Sequence, residues 1–291
     1  MAISVGLTLA PWRGQALQYT LDIVAGSGYQ GALARLGNLT PWRDELSQFR
    51  DLWEQRDLRL AACVVTGHWD DRTVVRDGLE HFRREVELLA DLECQQLLLS
   101  LPVRRELLLV AGYDPLRQPF VLSPDRLRYL GESLNLLAEV VLDFGLRPSV
   151  SNRLGTGIET AEEVAQLMEA TEPELVSLAL DIGHAGVAGA LPETLVQDYA
   201  ARIALLICKD VDQDILRSTR EERYDYDTFL ERGGYVPLGK GHLPLMNIMA
   251  RLRRSLSDTD GWLIVDPERP AIRPEDSADL SREFLLDELE L

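Results

Sequence analysis

Cysteine is nearly absent from this chain, and the three that occur, Cys63, Cys94 and Cys208, share no metal-ligand spacing. An odd, scattered set excludes a zinc knuckle and a complete disulfide framework, so these read as reduced, buried thiols of a cytoplasmic protein. Long hydrophobic runs are lacking as well. No segment reaches the roughly 18 uninterrupted apolar residues of a spanning helix. Met1 to Ala10 has no basic stretch ahead of its apolar run, so no membrane targeting is expected. Positive charge is in deficit: 30 Lys and Arg stand against 48 Asp and Glu, a formal charge of -18. That balance speaks against nucleic acid and against an anionic membrane surface, both of which need clustered Lys and Arg. No Gly-, Pro- or Ser-rich linker interrupts the sequence, so residues 1–291 are expected to form one domain, a length that α/β barrels commonly reach.

What is present is an alternation of short apolar runs with longer segments of 3.6-residue periodicity, the pattern of repeated βα units around a parallel sheet. Strands are expected at about Ile3 to Leu9, Gly31 to Leu36, Leu58 to Thr66, Gln96 to Leu101, Arg147 to Ser151, Val176 to Asp181, Ile203 to Lys209 and Trp262 to Asp266. Each is followed by a helical pattern: Gln15 to Ala25, Pro41 to Gln55, Thr73 to Leu92, Pro124 to Phe144, Ala161 to Ala170, Leu191 to Ala201, Leu243 to Leu256 and Glu275 to Leu289. Ser123-Pro124-Asp125, and Thr160 with Glu163 three residues on, are helix-start signals. Eight such units close a (β/α)8 TIM barrel without an unpaired edge. Two long irregular stretches, Pro102 to Ser123 and Val211 to Gly241, fall on βα connections and are candidate lids over the C-terminal face.

Polar residues gather at the C-terminal ends of the strands, where a barrel's side chains converge on one pocket. The third strand ends in Thr66-Gly67-His68-Trp69-Asp70, the fifth in Ser151-Asn152-Arg153, the sixth in Asp181-Ile182-Gly183-His184, the seventh in Lys209-Asp210 and the eighth in Asp266-Pro267-Glu268. Asp181 and His184 can offer oxygen and nitrogen donors to Zn, Mn or Co; they can equally be a turn cap and a loop residue. His68 with Trp69 suits a sugar pocket, or else is a packed indole beside a solvated imidazole. Glu159, just before a helix, can reach the pocket or simply favour the helix N-terminus. His81 reads as part of a solvated helix face, and His242, after Gly239-Lys240-Gly241, reads by default as part of a helix-start loop.

The succession Gly155-Thr156-Gly157-Ile158-Glu159-Thr160, Leu180-Asp181-Ile182-Gly183-His184-Ala185, Cys208-Lys209-Asp210-Val211, Pro237-Leu238-Gly239-Lys240-Gly241 and Gly261-Trp262-Leu263-Ile264-Val265 resembles the inosose dehydratase branch of the xylose-isomerase-like barrels. The opening Gly28-Tyr29-Gln30-Gly31 of the second strand fits too. The resemblance implies a divalent ion (Mn, Zn or Co) held by Glu, Asp, His and Glu from strands five to eight, polarising a keto or hydroxy sugar during proton abstraction. Asp181 and His184 match that pattern.

Other positions depart from it. The family's His-Leu-Lys-Asp reads Ile207-Cys208-Lys209-Asp210, its Val-Glu reads Val265-Asp266, and where relatives place His-Pro-His or a glutamate this chain has Ser151-Asn152-Arg153. A metal site that loses an imidazole and gains a cation should be weak or absent.

Two functions follow as expectations. One is an isomerase, epimerase or dehydratase acting on a small polyol or keto sugar. In it Glu159, Asp266 or Glu268 is the base, Lys209 stabilises an enolate, and His68, Trp69, Arg153, Asp210 and His242 bind substrate. The other is a metal-free, non-catalytic barrel that binds a sugar-like or anionic ligand or serves as a partner subunit, with a homo-oligomer compatible with either.

Overall fold

The computed structural model describes residues 3–12, 14–109, 121–258 and 261–291. All eight expected barrel strands form: β1 Ser4–Thr8, β2 Gly31–Arg35, β3 Arg59–Thr66, β4 Gln96–Ser100, β5 Arg147–Ser151, β6 Ser177–Asp181, β7 Ile203–Cys208 and, as the last, β10 Trp262–Val265. They pair in parallel around a closed ring, β1-β10-β7-β6-β5-β4-β3-β2. The (β/α)8 class is therefore the observed one.

Two apolar layers hold the ring. Side chains that face inward, among them Leu33, Ala62, Leu98, Ala179, Leu205, Ile207, Trp262 and Ile264, form a compact plug inside the barrel. The alternate residues of the same strands, such as Leu97, Leu99, Leu178, Leu180, Leu206 and Leu263, pack under the helices. Period-2 alternation in strands buried on both faces explains why these runs are continuously apolar in sequence.

The helix starts follow local chemistry. Ser123 Oγ accepts from the Arg126 N–H ahead of helix Pro124–Asp143. Thr160 and Glu163 form the expected capping box of helix Ala161–Ala170.

The expected second helix is instead broken into Leu36–Leu39, a 3-10 turn Thr40–Trp42 and Leu46–Glu54. Pro41 cannot donate within a helix and sits in the 3-10 turn, which resets the chain direction. The stretch Val211 to Gly241 is not irregular. A two-stranded antiparallel sheet, β8 Asp210–Val211 with β9 Tyr235–Val236, brackets helices Gln213–Glu222 and Tyr226–Glu231. Of Pro102 to Ser123, helix Arg105–Leu108 is described, while residues 110–120 lie outside the described residues. No helix among the described residues is long and apolar enough to cross a membrane.

Candidate active site

A cavity of about 1040 Å³ opens at the C-terminal mouth of the barrel. Its floor is the upper layer of the apolar plug, Leu33, Val64, Leu98, Ile207 and Ile264. Its wall carries strand-end polar groups, including Thr66, Ser100, Ser151, Arg153, Asp181, Asp266 and Glu268. An apolar base with a few convergent polar groups is the usual composition of a small-molecule site.

The chemistry of this wall centres on Lys209, which leaves the end of β7 only 2% exposed. Its Nζ lies 2.6 Å from Glu268 Oε2, 2.8 Å from Asp266 Oδ2 and 3.1 Å from Asp181 Oδ2. The stem reaches them by passing over Gly183, where a Cβ would stand 2.1 Å from Lys209 Cγ. Arg153 Nη2 binds the other Glu268 oxygen at 3.1 Å. Burial alone would push the Lys209 ammonium down, but Asp181, Asp266 and Glu268 outweigh it and hold its pKa well above the usual value. Burial likewise acts to raise the Glu268 carboxyl, yet Lys209, Arg153 and His184 hold it well below. Both shifts favour the charged forms of Lys209 and Glu268, as expected where unpaired buried charge is costly.

Behind it runs a buried chain of side chains from the β8–β9 excursion. Tyr226 Oη lies 3.2 Å from Tyr235 Oη, Tyr235 Oη 3.2 Å from His184 Nδ1, and His184 Nε2 3.2 Å from Glu268 Oε2. One assignment satisfies every member: each tyrosine donates toward the histidine, Nε2–H donates to Glu268, and the three Lys209 protons go to the three carboxylates. Burial is the main cause that pushes both tyrosines well above their usual range, so they remain neutral donors.

Asn152 ties the ends of β5 and β6 together. Its Oδ1 accepts the Asp181 N–H at 2.8 Å, and its Nδ2 donates to the Asp181 carbonyl at 2.9 Å.

The expected site residues divide into those on the wall and those that build it. Arg153, Asp181, Asp266 and Glu268 face the cavity. Lys209 is beside them but off the lining, its ammonium taken up by carboxylates. His184 is fully buried in the tyrosine chain.

Glu159 does not reach the pocket. Its Oε1 accepts from the N–H of Gly155 at 3.0 Å, in the turn that carries Arg153, and lies 3.4 Å from that of Gly157. Asp210 is a clamp. Oδ1 accepts from Val211 and Leu243, Oδ2 from Gly239 and Gly241, all between 2.9 and 3.1 Å, which anchors the excursion that the sequence suggested as a lid. Trp69 packs edge-on against Phe82 in the core, and His68 is exposed, so neither lines the cavity. His242 Nδ1 lies 2.8 Å from the Val211 carbonyl and belongs to the loop. His81 sits on an exposed helix face, as read.

Sequence reasoning missed Tyr226 and Tyr235, whose signal was an aromatic pair inside the supposedly irregular stretch. It also missed Arg35, at the end of β2, which lines the cavity.

A divalent ion does not fit this donor set as it stands. Asp181, Asp266, Glu268 and His184 converge, but on the Lys209 ammonium, which lies within 3.2 Å of each. Ile207 offers no donor. Among the described residues no group of three or more His, Cys, Asp or Glu is arranged to hold a metal.

Comparison with known proteins agrees with the fold. A family model described as the xylose isomerase-like TIM barrel matches residues 21–288. The chain is 32% identical over 238 residues to an inosose dehydratase of Geobacillus kaustophilus, covering 79% of this chain and 75% of that one. Among solved structures, a probable 3-DHS dehydratase from Bacillus anthracis superposes with a TM-score of 0.76 at 13% identity, covering 98% of this chain and 100% of that one. The IOLI protein, whose structure carries a bound zinc atom, superposes at 0.73 with 14% identity, covering 98% and 97%.

Proposed function

The chain belongs to the xylose isomerase-like TIM barrel family, and on that premise we propose that it is a sugar-modifying enzyme that draws a proton from the carbon beside the carbonyl of a small keto sugar or cyclic keto polyol, the class to which an inosose belongs. The observation that carries the reading is the state of the carboxylate oxygens on the cavity wall. Both oxygens of Asp181 and of Glu268 have donors, and so does Asp266 Oδ2; Asp266 Oδ1 alone has no partner among the described residues. Asp266 lines the cavity but this oxygen is itself buried, so a substrate has to displace its cover to reach it; an unused carboxylate acceptor at the end of a barrel strand is then suited to take a proton.

Arg153 is the matching electrophile. Its guanidinium is partly exposed to the cavity, and the Glu268 charge beside it holds its pKa above the usual arginine range. It therefore remains a fixed cation that can face an enolate oxygen as charge develops there. Glu268, ionised and doubly paired, serves as counter-ion rather than acid. Hydroxyls from Thr8, Thr66, Ser100 and Ser151 around the wall match a ligand rich in hydroxyl groups.

The test is turnover on a panel of small keto sugars and keto polyols, followed as loss of substrate and appearance of isomer or dehydration product. With an active substrate in hand, Asp266→Asn should lower kcat by about 10² to 10⁴, the range for a positioned base. An unchanged kcat in that variant removes Asp266 from the role. The extensive internal ion pairing also supports a second reading, a non-catalytic barrel that binds a sugar-like ligand; saturable binding of panel members with no turnover of any would favour it.

A further inference from the structure

We propose that the Lys209 ammonium takes the place of a divalent cation at the hub of the wall carboxylates, so that this site is assembled and charge-balanced by the chain itself. The inference does not rest on the sugar chemistry above; it concerns what holds Asp181, Asp266 and Glu268 in register. Those carboxylates come from the ends of β6 and β10, would repel one another in a buried setting, and need a central positive charge. Nζ supplies it, between 2.6 and 3.1 Å from an oxygen of each.

Lys209 stands at the lysine of the family's His-Leu-Lys-Asp, and Gly183 leaves room for its stem, since a Cβ there would meet Lys209 Cγ at 2.1 Å; two departures from the family favour the ammonium over an ion here. Arg153 adds a second fixed cation through Glu268, so the ensemble of three carboxylates is already largely neutralised. Ile207, on β7 next to the hub, presents apolar surface at the cavity where a donor would be needed to complete a coordination sphere. A divalent cation placed at the hub would meet the ammonium at a few ångströms, and two such charges cannot share one ring of acceptors.

The experiment is calorimetric titration of chelator-treated protein with MnCl2, read as metal binding and not as turnover, so its outcome is separate from that of the sugar assay. Wild type should show no saturable heat up to ~1 mM Mn²⁺. Lys209→Met keeps the unbranched length and removes the charge; its affinity for Mn²⁺ should rise at least tenfold over wild type, at one ion per chain, and fall again when Asp181→Asn is added. Saturable, stoichiometric Mn²⁺ binding by wild type that Asp181→Asn weakens would overturn the proposal. So would a folded Lys209→Met protein, judged by circular dichroism, with no gain in affinity. If that variant does not fold, the wild-type titration decides alone: saturable binding overturns the proposal and its absence supports it.

Discussion

Replacing Asp210 by Asn probes the clamp that fixes the excursion between β8 and β9. The carboxylate accepts backbone N–H groups with both oxygens, Val211 and Leu243 at Oδ1 and Gly239 and Gly241 at Oδ2. An asparagine keeps one oxygen, so in either orientation its NH2 faces a pair of donors and two hydrogen bonds are lost. The amide should turn its nitrogen toward Gly239 and Gly241, whose bonds are only part-buried and can be replaced by water, while Val211 and Leu243 keep their buried ones. Each unsatisfied buried donor costs about 1 to 3 kcal/mol. Burial also raises the Asp210 pKa against those four donors, so a neutral amide recovers part of the cost of burying a charge. The expected net loss is therefore about 1 to 3 kcal/mol for Asp210→Asn, and more for Asp210→Ala, which abandons all the N–H groups. Urea unfolding at pH 7 measures it. An Asp210→Ala protein as stable as wild type would refute the clamp, because the excursion would then be held by something else.

Other outcomes follow from the same structure. Arg153→Leu should reduce kcat on an active keto sugar by about 10² or more and should also leave Glu268 with a single cation; an unaltered kcat would remove Arg153 as electrophile. The depressed Glu268 pKa gives stability that is fully present above its ordinary value of 4.5 and is lost as the pH falls toward the lower folded value. The stability gap between wild type and Glu268→Gln should therefore close on acidification from pH 5 toward about pH 2, and a gap that widens would contradict the pairing. Burial pushes the Cys94 thiol up to about 12, and Cys63 and Cys208 well above their usual value. Native protein should accordingly show no rapid thiol labelling until it unfolds; fast modification of any one under native conditions would contradict the packing around it.

The barrel was legible because its signals are local and repeated. Strands such as Gln96–Ser100 and Ile203–Cys208 are buried on both faces, and Thr160 with Glu163 announces a helix start within four residues. The strand-end rule also selected Asp181, Lys209, Asp266, Glu268 and Arg153, which do gather at one mouth.

What could not be read was direction. His68 and Trp69 sit at a strand end yet turn outward and into the helical layer, and Glu159 folds back on its own turn. Whether a polar side chain faces the cavity or the backbone behind it depends on loop geometry that a spacing rule does not contain. Asp210 shows the same limit, since one residue beyond Lys209 the chain leaves the barrel for β8 and the carboxylate is spent on backbone amides. Tyr226 and Tyr235 are joined to His184 only through tertiary structure, at least 42 positions away from it in sequence.

In the proposed chemistry Asp266, on the wall of the barrel mouth, moves a proton at the carbon beside a substrate carbonyl. Proton NMR in D2O tests it most directly, by following that C–H signal in the panel of keto sugars and keto polyols with wild type and with Asp266→Asn. Wild type should incorporate deuterium into at least one member, and the variant should do so slower by about 10² or more. Exchange at the same rate in both proteins, or no exchange of any member that demonstrably binds, would contradict it.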